Sequence, residues 1–118
     1  MSRLHLTDRA LSDIDRIERY SVERWGQRVA DEYLADLNEA LARLAEDSSL
    51  FRTRHDYCGR LRFYSVREHV FVGDVIGSDA FVLTVWHGSM DFIERLGELE
   101  PSLLQEAELL ARRIEGGR

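Results

Sequence analysis

Two amphipathic helical stripes near the start of the chain are separated by a single glycine, and this arrangement limits the possible folds more than any other feature. The stripes contain Ala10, Leu11, Ile14, Ile17 and Ser21 in the first segment and Ala30, Tyr33, Leu34, Leu37, Leu41, Leu44 and Ala45 in the second. Gly26 between them can take the left-handed conformation that often follows a helix end. A joint this short predicts an antiparallel helical hairpin, and a broad apolar surface must cover it.

The second half of the chain can supply that surface, because three segments rich in Val, Phe, Ile and Tyr have the composition of strands. They cover residues 60–66, 70–76 and 80–87, and the links between them are of hairpin size. The pattern therefore predicts a three-stranded antiparallel meander. In the last strand, simple alternation puts Phe81, Leu83 and Val85 on one face and Val82, Thr84 and Trp86 on the other.

Shorter elements are predicted near both ends of the sequence. Residues 3–6 alternate like a strand, and Thr7 is the expected N-cap of the first helix. Asp91 is placed to cap a short helix, which Pro101 is expected to interrupt. A further helix is then predicted over residues 102–115, where Ser102 and Gln105 form a capping-box pattern.

The chain has 118 residues, which suits one compact domain. The order β-α-α-β-β-β predicts an α+β architecture of two layers, with the hairpin on one sheet face. The interpretation assigns residues 1–92 to this domain and residues 93–118 to a C-terminal helical extension packed on it. The apolar stripe of residues 102–115 must be covered, either by its own domain or by a second copy in a homodimer.

Charge argues against one class of function, strong non-specific binding of nucleic acids. All 16 basic residues are Arg, against 22 acidic residues, and the net charge is −6. Strong non-specific nucleic-acid binding normally needs a basic domain, so the charge argues against it, and we expect no direct sequence-specific nucleic-acid binding. A local excess of Arg remains at residues 48–73. The sequence has no apolar run that could span a membrane and no signal-peptide block at its start, so a cytoplasmic location without membrane contact is expected.

Metal and cofactor chemistry find little support in the sequence. Cys58 is the single cysteine, which excludes an internal disulfide. His5, His55, His69 and His87 lack the spacing of metal ligands, and no Gly-rich phosphate loop is present. No cofactor is therefore expected.

Two features could serve binding or chemistry. Alternation would put Arg60 and Arg62 on one strand face, where they could bind a phosphate or carboxylate as a fork or simply form an exposed face. His87 lies where a strand ends and could either point into a groove or form local hydrogen bonds. The residues alone do not separate these alternatives.

Five blocks of the sequence form a familiar set. They are Leu6-Thr7-Asp8-Arg9-Ala10, Asp13-Ile14 with Ile17 and Tyr20, Trp25-Gly26 with Ala30, Tyr33 and Leu37, Arg62 ahead of His69, and Trp86-His87-Gly88 with Asp91. In this order and spacing they resemble the ParE branch of the RelE/ParE toxin superfamily over residues 4–92. The resemblance implies the two-layer RelE/ParE-like fold and a toxin of a type II toxin–antitoxin pair, neutralised by a cognate antitoxin.

The resemblance implies two modes of action. ParE-like members inhibit DNA gyrase by binding it and need no active site, whereas RelE-like members cut mRNA on the ribosome. The absence of Lys and the acidic balance favour the ParE-like mode. In the nuclease alternative, Arg60 and Arg62 would bind phosphate and His87 would act as acid or base. A third alternative is a binding module without toxicity.

The interpretation assigns contact with the target or the antitoxin to Arg60, Arg62, His69, Trp86 and His87, and places Tyr33 and Leu37 in the core. Two departures from the family pattern affect potency if they touch the target. Gly73 stands where a Tyr is usual, and Ser89-Met90 stand where an Arg is common.

Overall fold

The strands and helices follow the predicted order in residues 3–54, 56–57, 59–88 and 92–116, which the computed structural model describes. They are β1 (Arg3–Leu6), α1 (Asp8–Trp25), α2 (Gln27–Glu46), β2 (Arg62–Val66), β3 (His69–Ile76), β4 (Asp79–His87) and α3 (Phe92–Gly116). The α+β class is confirmed. His55, Cys58, Ser89, Met90 and the predicted cap Asp91 lie outside the described residues.

A four-stranded sheet has the strand order β1-β4-β3-β2. The predicted antiparallel meander is confirmed in β2, β3 and β4. β2 begins at Arg62, two residues later than expected. β1 adds to the far side of β4 in parallel, with Arg3 opposite Asp79. The sheet is therefore mixed, and β4 lies inside it.

The helical hairpin covers one face of this sheet. Thr7 caps α1 as predicted, because its Oγ1 accepts a hydrogen bond from the Ala10 N–H. Gly26 has the expected positive φ of 90°, but its ψ of 169° is extended, so α2 starts at the next residue. The hairpin core includes the fully buried Leu37. The prediction that Leu11 belongs to this core is wrong, since the residue is 53% exposed.

The C-terminal helix covers the opposite face and adds a third layer. The expected break at Pro101 is wrong, because α3 runs through it without interruption. Leu96 before the proline and Leu103 and Ala107 after it are all fully buried in one cluster with β4. Burial of this stripe offsets the cost of about 3 kcal/mol that an internal proline imposes on a helix. Among the described residues, no helix is both long and apolar enough to cross a bilayer.

A β-bulge in β4 changes which side chains face which helix layer. Val72 pairs with Thr84 but Gly73 pairs with Val82, so Leu83 is an extra residue. The predicted alternation therefore fails beyond Leu83. Val85 packs in the hairpin core and Trp86 packs on the α3 side, the reverse of the expectation.

Asp13 of α1 stabilises the bulge. Its carboxylate accepts hydrogen bonds from the Val85 N–H at 3.1 Å and from the Thr84 hydroxyl. Because a bulge leaves polar backbone groups without their regular ladder partners, this carboxylate replaces a missing acceptor. α1 thereby fixes the direction of the last residues of β4.

Gly73 is an internal packing position rather than a surface one. A Cβ atom there would lie 2.4 Å from the Phe81 carbonyl oxygen and 2.6 Å from Phe51 Cζ. The Phe51 ring thus takes the space that a side chain at residue 73 would need. The departure from the family pattern at this residue is therefore a change in the core.

Candidate functional site

Two adjoining grooves run along α1 at the end of the sheet. The first has a volume of about 600 Å³ and is lined by residues that include Ile17, Tyr20, Trp25, Tyr33, His69 and His87. The second, of about 430 Å³, extends past Trp86 to α3, and four residues line both grooves: Arg16, Ile17, His69 and His87. We call the two together the histidine groove. Three of the predicted site residues, His69, Trp86 and His87, are brought together in it.

His69 and His87 are direct cross-strand partners, and their ring centroids lie 5.2 Å apart. The bulge at Leu83 is the reason for this pairing, because unbroken alternation would have put His87 on the α3 face. His87 is exposed, and its Nε2 lies 3.6 Å from a Glu68 carboxylate oxygen. Of the two alternatives for His87, the structure shows the side chain lining a groove.

Tyr33 links the hairpin core to this histidine pair. The residue is buried as expected, and its hydroxyl is hydrogen-bonded to His69 Nδ1. Burial is the largest cause that raises the pKa of Tyr33, so the phenol keeps its proton. A neutral His69 then accepts the hydrogen bond from this hydroxyl at Nδ1 and carries its own hydrogen on Nε2.

Arg67 covers the outer side of Tyr33. Its guanidinium lies 5.3 Å from the Tyr33 ring centroid and pairs with Asp36 at 2.5 Å. The residue sits in the turn between β2 and β3 with a φ of 50°, which is strained for a side chain other than Gly. The stacking on Tyr33 and the ion pair with Asp36 stabilise this turn conformation and offset its strain.

The pKa of His69 is lowered, first by burial and second by the neighbouring charge of His87, while Glu68 acts in the opposite direction. The unfolded chain therefore binds a proton at His69 more readily than the folded one. Stability from neutral His69 is complete above about pH 6.5 and is lost as the pH falls through its lowered pKa.

We expect His69 to titrate below its usual pKa in an NMR experiment that follows the histidine ring signals. Replacing His87 with Gln removes the like charge, so it should raise the pKa of His69 without restoring the usual value, because burial remains. In urea unfolding, the free energy of unfolding should decrease as the pH falls. This decrease should be smaller in the His69→Phe variant, which has no group that titrates at this residue. A His69 pKa at or above about 6.5 in the wild type would contradict this account.

The expected fork of Arg60 and Arg62 is not formed. Arg60 precedes β2, and its guanidinium makes two hydrogen bonds, of 3.2 and 2.6 Å, to the buried Asp74 carboxylate. The same side chain reaches Glu108 of α3 at 3.5 Å. Arg62 shares its strand face with Tyr64, which packs on the hairpin core. The two side chains therefore belong to opposite sides of the sheet.

Much of the Arg excess at residues 48–73 is neutralised within the chain. Arg54 pairs with Asp56 at 2.8 Å, and Arg60 and Arg67 have the acidic partners already described. This segment is therefore not a free cationic strip for phosphates.

Sequence reasoning missed the α1 wall of the groove. Tyr20 and Trp25 are 57% and 48% exposed, and their rings meet edge to face at 5.8 Å. Arg16 and Arg24 lie beside them. One feature of the sequence could have indicated this surface: Tyr20 and Trp25 are aromatic residues that lie outside the apolar stripe of α1. In the described part of the chain, no three His, Cys, Asp or Glu residues are grouped closely enough to hold a metal.

Comparison with known proteins gives a consistent set of relatives. The family model described as the ParE toxin of the type II toxin–antitoxin system parDE matches residues 4–92. The Escherichia coli protein Toxin ParE is 31% identical over 99 residues, which is 83% of this chain and 96% of that protein. Toxin ParE3 of Caulobacter vibrioides is 30% identical over 98 residues, covering 83% of this chain and 98% of that protein.

A solved structure described as the chromosomal ParDE TA system from P. aeruginosa shares the fold. Its TM-score is 0.65 at 20% sequence identity, and the match covers 74% of this chain and 96% of that one. The RelE/ParE-like fold is thereby confirmed. Because the family match ends at residue 92, nearly all of α3 lies beyond it.

Proposed function

The chain belongs to the ParE toxin family of type II toxin–antitoxin systems, and from this premise we propose that it inhibits DNA gyrase by binding and is neutralised by a cognate antitoxin. Binding to another protein requires an accessible surface and no catalytic group. The histidine groove is such a surface, and we assign contact with the target or the antitoxin to His69, Trp86 and His87.

The engagement of Arg60 with Asp74 is the observation that most supports inhibition by binding over RNA cleavage. A nuclease must place cations around a scissile phosphate. Arg60 is held by two hydrogen bonds from its guanidinium to Asp74, and Arg62 belongs to the other side of the sheet. Arg60 and Arg62 therefore do not form the phosphate-binding pair that the nuclease alternative requires.

The lowered pKa of His69 also supports a binding role. Burial keeps this ring neutral near pH 7, and its Nδ1 is already engaged with Tyr33. A neutral donor at Nε2 suits recognition of a carbonyl or carboxylate oxygen. His87 is exposed and lies beside it.

The test uses the purified chain in two parallel reactions. Relaxed plasmid is supercoiled by gyrase at increasing toxin concentration, and an mRNA is translated on ribosomes with the same amounts. We expect supercoiling to stop and the mRNA to stay intact. His87→Ala should raise the concentration needed for inhibition by about tenfold if it lies at the centre of the contact.

Arg112→Ala is the matched control, since Arg112 is exposed on α3 away from the groove. It should inhibit like the wild type. Cut mRNA with normal supercoiling would show the nuclease alternative instead. Activity in neither reaction would indicate a binding module without toxicity. Neutralisation is tested by adding the protein encoded beside this gene, which should restore supercoiling.

A further inference from the structure

β1 is an outer strand of the sheet, and one of its edges carries main-chain groups that β4 does not use. The N–H groups of Arg3 and Thr7 both donate towards β4. In a parallel pair only alternate residues bond to the neighbouring strand, so the N–H and C=O groups of Leu4 and Leu6 point away from β4. In the described part of the chain, no strand lies beyond β1. Such an edge is a template for pairing with another strand.

The surface beside this edge is apolar. Leu11 of α1 and Leu109 of α3 are both about half exposed. Leu109 lines a depression of about 230 Å³ together with Leu6 and Asp8, and Leu11 lies one helical turn after Asp8. Of the described residues that line this depression, none also lines the histidine groove. We call this separate region the β1 surface, and it consists of Leu4, Leu6, Asp8, Leu11, Leu109 and Arg113.

The charges at the β1 surface balance, although the full chain has a net charge of −6. Arg9 and Glu106 lie beside it and pair with each other at 3.0 Å. Asp8 and Arg113 are exposed and line the same depression, but neither has an ion-pair partner among the described residues. One available charge of each sign on a neutral surface suits contact with an identical surface, where each charge meets its opposite. A strongly acidic or strongly basic partner would leave one of them opposed by a like charge.

We propose that the β1 surface binds a second copy of this chain and forms a two-fold symmetric dimer. The two β1 strands lie antiparallel, with Leu4 opposite Leu6 of the second copy, and each such pair exchanges N–H···O=C hydrogen bonds. The same symmetry brings Asp8 to Arg113 of the second copy and covers Leu109. The apolar stripe of α3 is buried on its own sheet, so the contact uses the outer side of that helix. The histidine groove stays accessible, and the inference does not rest on gyrase inhibition.

The mass of the full chain in solution tests the proposal. Light scattering after size-exclusion chromatography should show a rise from 13.7 kDa towards twice that mass as the concentration passes through the micromolar range. Leu109→Glu puts a charge into the apolar contact, and Arg113→Glu reverses a charge; each should raise the dissociation constant about tenfold or more. Arg112→Glu makes the same charge change at the next residue, outside the depression, and should leave the constant within about twofold.

A charge exchange identifies the pairing across the interface. Asp8→Arg should weaken the dimer as Arg113→Glu does, because it places two arginines opposite each other. The double variant reverses both charges and should return the dissociation constant to within about threefold of the wild type. Asp8, Leu109, Arg112 and Arg113 are all exposed, so circular dichroism should show a folded chain in every variant.

Hydrogen exchange locates the strand pairing. The Leu4 and Leu6 amides should exchange slowly in the dimer and rapidly in the Arg113→Glu monomer, because only the second copy accepts their hydrogen bonds. The His5 amide alternates with them and faces β4, so it should be protected in both states.

Several results would overturn the proposal. They are a mass that stays at 13.7 kDa up to about 1 mM, a dimer that Leu109→Glu and Arg113→Glu leave intact, no recovery in the charge exchange, and equal exchange of the Leu4 and Leu6 amides in dimer and monomer. A dimer that Trp25→Ala dissociates would also overturn it, because the contact would then lie at the histidine groove. None of these measurements uses gyrase, so their failure is distinct from a failure of the proposed function.

Discussion

Replacing Arg60 with Ala should lower the free energy of unfolding by about 3 kcal/mol, because it leaves a buried carboxylate without its charge partner. The Asp74 side chain is 2% exposed and receives two hydrogen bonds from the guanidinium. We place the effect at the low end of the usual range, since Arg60 itself is 46% exposed and water reaches part of the pair. Urea unfolding followed by tryptophan fluorescence measures the change.

A second substitution separates the lost ion pair from lost packing. Asp74→Asn in the Arg60→Ala background removes the buried charge and should recover more than half of the loss. Arg62→Ala, which removes an arginine without an acidic partner among the described residues, should cost about 0.5 kcal/mol or less. If Arg60→Ala were no more costly than Arg62→Ala, the buried pair would not be a stabilising contact.

Gly73→Ala should destabilise the fold by about 3 kcal/mol, at the upper end for inserting an atom into a packed core. The new Cβ would meet the Phe81 carbonyl oxygen at 2.4 Å, and that backbone atom is held in the sheet by the β3–β4 ladder. Thermal and urea unfolding should both shift, with the far-UV circular dichroism of the remaining folded protein unchanged.

Gly77→Ala is the matched control, because open space surrounds that glycine although its φ is 62°. It should cost about 1 kcal/mol through backbone strain alone. Combining Phe51→Ala with Gly73→Ala removes the ring contact but not the carbonyl contact. The pair should therefore be no more stable than Gly73→Ala. A clear recovery of stability in the pair would show that the ring, and not the backbone, excludes a side chain.

Local sequence was sufficient to predict the hairpin and the meander. The one-residue joint at Gly26, the cap at Thr7 and the two hairpin links are signals that act within a few residues. The partner of β1 could not be predicted in this way, because Arg3 and Asp79 are 76 residues apart. Long-range pairings of this kind have no periodicity of their own.

Tertiary burial explains where the prediction failed. Pro101 is a strong local stop signal, but Leu96 and Leu103 on either side of it are both buried on the sheet. The bulge at Leu83 leaves no local pattern, since it depends on the Asp13 carboxylate from α1. In both cases a distant contact outweighs the preference of a short segment.

The candidate site was predictable only in part. Family motifs pointed to His69 and His87, and these two rings do meet. The Arg60–Arg62 fork was wrong because β2 starts at Arg62, so strand alternation does not extend back to Arg60. Trp25 belonged to a recognised motif, but its exposure depends on how α1 lies on the sheet.

The sheet can close only after β4 has been synthesised, because β4 lies between β1 and β3. β1 is made before β4, yet its hydrogen-bonding partners are residues 79–82, and one apolar face of β4 is covered only by residues 92–116. A nascent chain that ends before β4 lacks His87, so it has no histidine pair, and it also lacks the part of the groove that Trp86 lines. Any partner that recognises this surface therefore meets a chain in which β4 has already been made.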